Sequence, residues 1–522
     1  MKIENSKFVF LLMAVFAVVS MSCSKFLDVP PQNKLTLPEF WRAKNQAVAA
    51  IGGVYSNLGS TKLITGGSSA TSLSPVESYI YWGEIRGELL KSNPGKLTTD
   101  QISKENVDNF IVNPTDVTTK YTQFYRIINE ANQAIKHIPE IKSKDPVFSQ
   151  TDEDNLTGEA YFLRAFAYFW LVRTFKEVPL ILEPSETDNQ NYSRPKTPTD
   201  SIFFQIVTDL ERARRTLPEW YTNNLYAHCR ATKYTAETVL ADVYLWMAAL
   251  SSSATLKNGY YQKAIDNCDS VINSGRYFMI HGSTLNTVFS SSGTTESIFE
   301  TYSNSTLNSQ TNSLYDWFTS SQYIVVTTQL PLLFSEPTRD YRGATVPAGP
   351  TPPKGTAFSY NASTMLLLKF NKSTRDAIWN FYRYPEVLLM KAEALSHLYV
   401  NDPVQIGIAV DLVNEVRARA YGKTPYPKLL TASTQEMDKF ILEERGREFV
   451  GEGKRWFDLV RFASRDNFEH PEILIDRIVQ SYSGITQTII RPRINDPDGW
   501  YLPLNAEALS SNPSLVQNPY YE

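Results

Sequence analysis

Residues 155 to 175, "NLTGEAYFLRAFAYFWLVRTF", are apolar on nearly every side of a helix, with only Glu159, Arg164 and Arg173 charged inside the run. A helix without a polar face must be wrapped by other elements. The rest of the chain supplies the wrapping as further helices, and they come in pairs.

Residues 121 to 138 place Ile128, Asn132 and Ile135 on one face and lead to Pro139, where a helix is expected to stop. Residues 200 to 217 are amphipathic, with Thr199 or Asp200 as the expected cap and Pro218 as the stop. Residues 234 to 250 and 260 to 273 form another pair, and 383 to 399 and 404 to 420 one more. "STQE" at Ser433 to Glu436 reads as a capping box that opens a further helix. First helices carry Ala165 with Tyr168, Ala241 with Tyr244, and Ala392 with Leu395. Second helices carry Ile206/Leu210/Ala213, Ala264/Cys268/Val271 and Ala409/Val413/Val416. A small residue beside a large one lets one hairpin nest against the next, as tetratricopeptide-type repeats require. The period is interrupted, and a generic helical bundle is the plainer alternative. The expected fold class is all-α, a tetratricopeptide-like helical-hairpin scaffold.

The interruptions carry their own information. Residues 59 to 78 are rich in Gly, Ser and Thr, and residues 281 to 378 hold Ser, Thr, Asn, Gly and Pro with aromatics embedded, as in "NSLYDWFTSSQY". Long irregular segments in a compact chain are more often functional loops than filler.

The N-terminus reads as an export signal. Lys2 and Lys7 precede an apolar run from Phe8 to Val19, which is too short to span a bilayer and suits a signal-peptide core. Removing residues 1 to 22 leaves 49 basic and 54 acidic residues, net −5, with no dense basic stripe for a phosphate backbone. Nucleic acid is therefore not an expected partner.

Cys23 has two readings. It is an early residue after a plain secretory cut, or it is the acylated first residue of a lipoprotein. A lone N-terminal cysteine in an oxidising compartment favours the second, while Ser20 departs from the usual Leu three positions earlier. Several acyl chains at about 0.8 kcal/mol per buried methylene would hold such a residue in a membrane. Cys229 and Cys268 remain as an even pair, free to bond or stay reduced.

Catalytic signatures are missing from the sequence. His137, His228, His281, His397 and His470 form neither HExxH nor a Cys/His metal spacing, and GxSxG and GxGxxG do not occur. Asn495-Asp496-Pro497-Asp498-Gly499 could offer oxygens to calcium but is expected to be a turn. No enzyme activity, metal or cofactor is expected.

Seven phrases, in order, carry a family likeness: "SCSKFLDVPP", "YRIINEANQAI", "GEAYFLRAFAYFWLVRTF", "RATKYTAETVLADVYLWMA", "YRYPEVLLMKAEAL", "ILEERGREFVGEGKRWFDLVRF" and "YLPLNAEALSSNPSLVQNPYY". The chain resembles the SusD/RagB nutrient-binding lipoproteins of the Bacteroidetes outer membrane over essentially its whole length. Tyr520 departs from the usual Asn-Pro-Gly-Tyr ending.

The resemblance implies about four repeats with an irregular, loop-rich ligand face, and a SusC-like TonB-dependent transporter as partner. It also implies capture of oligosaccharides, with peptides or another nutrient, or a pure protein-interaction scaffold, as alternatives. The expected layout is a lipoprotein signal at 1–22 and an acylated Cys23 with its tether at 23–45. N-terminal helical repeats follow at 46–280, a ligand-facing insertion at 281–378, and the C-terminal SusD/RagB region at 379–522. The location implied is the cell outer membrane, lipid-anchored and surface-exposed.

The densest motif is Arg447, Glu448, Glu452, Gly453, Arg455, Trp456, Asp458 and Arg461. Arg455/Asp458 and Asp458/Arg461 are three apart and can pair on a helix, which points to buried ion pairs welding this segment to the scaffold. Ligand contacts are expected instead in loops, where aromatic rings pack on sugar C–H faces. The candidates are Tyr79, Tyr81, Trp82, Glu84 and Arg86 in "ESYIYWGEIRGE", and Tyr315, Trp317 and Tyr323 in the insertion. For Glu84, Arg86 and Glu88 a solvated or salt-bridged helix face is the plainer reading.

Overall fold

The computed structural model describes residues 40–59, 73–96, 102–187, 190–304, 312–334, 340–343, 360–361, 364–422 and 425–522. The signal region, Cys23 and most of the expected tether lie outside them.

The helices used below are α1 Lys44–Leu58, α2 Pro75–Gly83, α3 Thr122–Ile141, α4 Gln150–Phe175, α5 Thr199–Thr216, α6 Asn224–Cys229 and α7 Lys233–Leu250. They continue with α8 Ala254–Asn273, α9 Tyr384–Leu398, α10 Pro403–Tyr421, α11 Thr434–Phe449 and α12 Arg455–Ala463. Four hairpins, α1/α3, α4/α5, α7/α8 and α9/α10, stack in chain order, each helix packing on the next. This is the tetratricopeptide-like scaffold. Ala165, Tyr168, Ala241, Tyr244, Ala392 and Leu395 are all buried, as are the small and large partners on the second helices.

Local chemistry sets the helix starts. Ser149 caps α4, accepting from the Asp152 N–H while Asp152 reaches back to the Ser149 N–H at 3.1 Å. Thr232 caps α7 in the same way. The Ser433/Glu436 box forms as expected, with the Glu436 carboxylate accepting from the Ser433 N–H at 2.7 Å. Such caps satisfy donors that the first turn leaves open.

Two expected boundaries differ. Helix α3 runs through Pro139 to Ile141, because a proline within the last turn costs only one backbone hydrogen bond near an end that already lacks several. Pro198, not Thr199 or Asp200, occupies the N-cap of α5; the Thr199 hydroxyl donates to the Lys176 carbonyl instead.

Among the described residues the strands are short and form three antiparallel pairs: β1 Leu90–Ser92 with β3 Ile324–Val326, β2 Ser297–Glu300 with β6 Asn380–Arg383, and β4 Tyr360–Asn361 with β5 Leu366–Leu367. The insertion is thus part of the core as well as the surface. Ile298, Phe299, Phe318, Ile324 and Val326 are buried in it.

The stretch after α2 joins the two ends of the chain. The Glu84 carboxylate accepts the backbone N–H groups of Gly451, Gly453 and Lys454 at 2.9, 3.1 and 3.3 Å. Arg86 donates to the Gly499 carbonyl at 3.1 Å and lies 4.0 Å from the Trp456 ring centroid. Glu88 pairs with Arg455 at 3.0 Å. Gly83 and Gly453 are needed here for close approach: a Cβ at Gly83 would sit 1.9 Å from the Gly453 carbonyl oxygen, and Gly453 itself has φ +73°.

The Arg447–Arg461 segment is the weld that its charges suggest, with partners mostly from afar. Arg461 forks onto Glu393 at 2.9 and 2.8 Å and reaches Asp458 at 3.3 Å. Arg447 donates to the Leu333 carbonyl and pairs with Glu444 at 3.0 Å. Arg383 from β6 binds Glu452 at 2.9 and 2.7 Å, Glu448 at 2.8 Å and Glu296 at 2.5 Å, all with buried side chains. The guanidinium groups of Arg419, Arg383 and Arg342 hold the Glu448 carboxyl well below the usual range, although burial alone would raise it.

Asp496 caps the N–H of Asp498 in a short 3-10 turn at Pro497–Trp500, so the Asn495–Gly499 phrase is the expected turn. Tyr520, the departure from the usual ending, lays its ring against Gly499 and donates to the Arg493 carbonyl at 2.8 Å.

Candidate functional site

The residues expected to touch ligand divide into two groups. Tyr79, Tyr81, Trp82, Glu84 and Arg86 are buried, at 3% exposure or less. The Tyr79 hydroxyl donates to the Leu58 carbonyl at 3.1 Å, and the Trp82 indole N–H to the Thr118 carbonyl at 2.7 Å. Trp82 also packs on Phe124 at 4.8 Å between centroids. Burial pushes the Glu84 carboxyl up to about 7 and the Arg86 guanidinium down to about 10. These five side chains therefore make core and inter-segment contacts and present no ring or charge to a surface groove, a correction to their reading as ligand contacts; Tyr79, Tyr81 and Trp82 lie in α2 and Glu84 and Arg86 in the irregular turn after it.

Trp317 is also buried, while Tyr315 and Tyr323 are half-buried. Asp316, between Tyr315 and Trp317, pairs with Arg375 at 2.9 Å. The backbone at Tyr323 continues the β1/β3 ladder, accepting from the Asn93 N–H at 2.8 Å. None of the three lines the main cleft.

That cleft has a volume of about 480 Å³ and lies where α1, α6, β2 and the residues around β6 converge. Its floor is aromatic. Phe299 of β2 stacks on Phe381 of β6 at 4.8 Å with a 27° tilt, and Trp379 continues the surface. One wall is the α1 face carrying Val48, Gly52 and Tyr55, with Gly59 just past the helix end. A Cβ at Gly52 would meet nothing within 4 Å, so this glycine leaves the wall open. Asn312 and Leu314 close one side, just before the expected Tyr315.

The rim is where rings meet solvent. Tyr226 of α6 is 45% exposed and Tyr302, two residues after β2, is 37% exposed. Arg230 lies between rim and wall, its guanidinium 5.5 Å from the Tyr226 ring and its charge matched by Glu159 at 2.8 and 2.5 Å. Glu300 accepts from the Gly293 N–H at 2.8 Å, and burial pushes its carboxyl up to about 7. Burial likewise pushes the Cys229 thiol up to about 12, which removes its value as a nucleophile at neutral pH. Cys229 and Cys268 are both free thiols. Among the described residues no group of three or more His, Cys, Asp or Glu could hold a metal ion.

An apolar floor, exposed rings at the mouth and a few polar groups in the wall are surfaces complementary to flat apolar faces and hydroxyls. The sequence offers little signal for it. Tyr226 sits alone in "NNLYAHCR" and Tyr302 three residues after Phe299 in "FETYSN", and the two line one cleft only because α6 packs on β2.

Two family models match the chain. One, described as the SusD family, covers residues 275–521; the other, described as starch-binding and associating with the outer membrane, covers residues 25–245. The chain belongs to the SusD family. SusD-like protein P38 of Formosa agariphila is 24% identical over the full length of both chains. SusD-like protein P2 of the same organism is 25% identical over 86% of this chain and 89% of its own. Among solved structures, a SusD homolog from Bacteroides thetaiotaomicron superposes with a TM-score of 0.71 at 18% identity, over 92% of this chain and 98% of that one. A SusD-like protein described as laminarin-binding gives 0.63 at 21% identity, over 92% and 99%. The SusD fold thus extends across both halves that Glu84, Arg86 and Glu88 tie together.

Among the described residues no helix is long and apolar enough to cross a membrane.

Proposed function

We propose that this SusD-family chain is a substrate-binding lipoprotein of the outer membrane. It captures oligosaccharides in the α1/α6/β2 cleft and delivers them to a SusC-like TonB-dependent transporter. The observation that carries the reading is the pairing of an aromatic floor, Phe299 and Phe381, with the exposed rim rings Tyr226 and Tyr302 around one cleft. Sugar C–H faces pack on such rings, and the wall groups of Ser56, Ser303 and Arg230 suit hydroxyls. The laminarin-binding neighbour and the outer-membrane description of the N-terminal family model support the same assignment.

Anchoring rests on Cys23, outside the described residues. Its acylation would place the binding face at the membrane surface beside a transporter. Affinity electrophoresis in polysaccharide gels, followed by calorimetry on oligosaccharides and short peptides, tests the ligand class. Binding of peptides alone would replace the glycan reading with peptide uptake.

A further inference from the structure

Phe381 has a second neighbour besides the cleft. Behind it lies a void of about 20 Å³ with a charged wall that includes Arg173 of α4, Asp242 of α7, Arg445 of α11 and Arg461 of α12. Asp242 accepts the Tyr382 hydroxyl at 2.7 Å. Arg173 Nη1 stops 3.6 Å from Asp242 Oδ2, and Arg461 Nη1 stops 3.6 Å from Asp242 Oδ1. Both gaps exceed a hydrogen bond and fall short of a separation in which the charges ignore each other.

Each arginine is held back by other bonds. Arg173 Nε donates to the Phe169 carbonyl at 3.1 Å, and Arg461 forks onto Glu393. Arg445 is anchored to Glu386 at 3.0 Å and Asp458 at 2.8 Å, and its Nη1 is buried without a hydrogen-bond partner. The carboxylate at the centre therefore has guanidinium groups on two sides that stop short of it.

We infer that this void is the binding site of a single internal water that bridges Asp242 to the Nη1 groups of Arg173 and Arg461. A void of this size admits about one water and nothing larger, and such a water needs two to four polar partners. Water fits the local charge better than an ion. Arg173, Arg445, Lys454 and Arg461 are offset by Asp242, Glu386 and Asp458 on the wall and by Glu393 behind Arg461. A halide would face the Asp242 carboxylate, and a metal cation would face the guanidinium groups. A neutral molecule that donates to the acid and accepts from the bases meets neither repulsion. The bridged node ties α4, α7 and α12 to β6, the strand that carries Phe381 to the cleft floor.

The test is a crystal structure of the mature protein grown in sodium bromide, at a resolution that shows ordered water. One peak without anomalous signal is expected, within about 2.6–3.2 Å of the Asp242 carboxylate and both arginine Nη1 atoms. An anomalous bromide peak at that position would overturn the water assignment in favour of an anion. So would an empty or closed void with either arginine in direct contact with Asp242.

Discussion

Glu88 and Arg455, 367 residues apart in sequence, form a two-oxygen ion pair at 3.0 Å with both side chains almost fully buried. The pair fastens the segment after α2 to the start of α12, and so joins the two halves matched by separate family models. Breaking one side of a buried pair leaves the other charge without its partner, at a cost of about 3–5 kcal/mol. Glu88→Ala should therefore shift the urea midpoint strongly downwards. A midpoint within error of the parent would show that the two halves are held together without it.

Trp82 is a ligand candidate on sequence grounds, but its ring is fully buried against Phe124 and Phe175. Trp82→Ala should lower stability by about 3–5 kcal/mol, as truncation of a core tryptophan does. Thermal unfolding checks this. Full stability with selective loss of ligand binding would return the residue to the site.

Glu300 makes a pH prediction whose sign follows from its environment. Its folded carboxyl titrates at about 7 against an ordinary 4.5, with burial as the leading cause. Between those values the native state holds more protons than the unfolded chain, so this group's contribution is full below about pH 4.5 and is lost as pH rises through 7. The loss is on the order of 3 kcal/mol, since each tenfold difference in proton affinity between the two states is worth roughly 1.4 kcal/mol. Glu300→Gln removes the titration and keeps an acceptor for the Gly293 N–H. Urea unfolding at pH 5 and pH 7.5 should show the variant losing less stability than the parent across that interval. Equal losses would mean that the Glu300 carboxyl is not shifted by folding.

The Cys23 proposal has a direct readout. Metabolic labelling with a fatty acid should mark the parent and leave Cys23→Ala unlabelled, with the variant released from membranes in cells lacking the transporter. Retention of the variant in that background would require a different anchor.

What is legible in the sequence is local. The Ser433/Glu436 box, the small-and-large pairs such as Ala241 with Tyr244, and the all-round apolar character of α4 depend on neighbours within a turn or two, and all appear in the fold. Helix α1 is harder to see, since Ala, Gly and Ser dilute its apolar face around Ile51, Val54 and Leu58. The "ESYIYWGEIRGE" stretch misleads for a different reason. Its polar and aromatic residues look like a ligand loop, yet Glu84 is satisfied by N–H groups at Gly451 and Gly453, which no local pattern foretells. The cleft is hidden likewise, because Tyr226 and Tyr302 come together only through the packing of α6 on β2.

The most direct test of the account is titration calorimetry of the mature protein and of a Tyr226→Ala/Tyr302→Ala variant against oligosaccharides, laminarin-derived ones first, with short peptides as controls. At about 0.5–1.5 kcal/mol per stacked ring, losing both should weaken oligosaccharide binding by roughly 5- to 150-fold while thermal stability stays near that of the parent. Undiminished binding in the double variant would contradict the cleft as the capture site, and binding of peptides alone by the parent would contradict the glycan assignment itself.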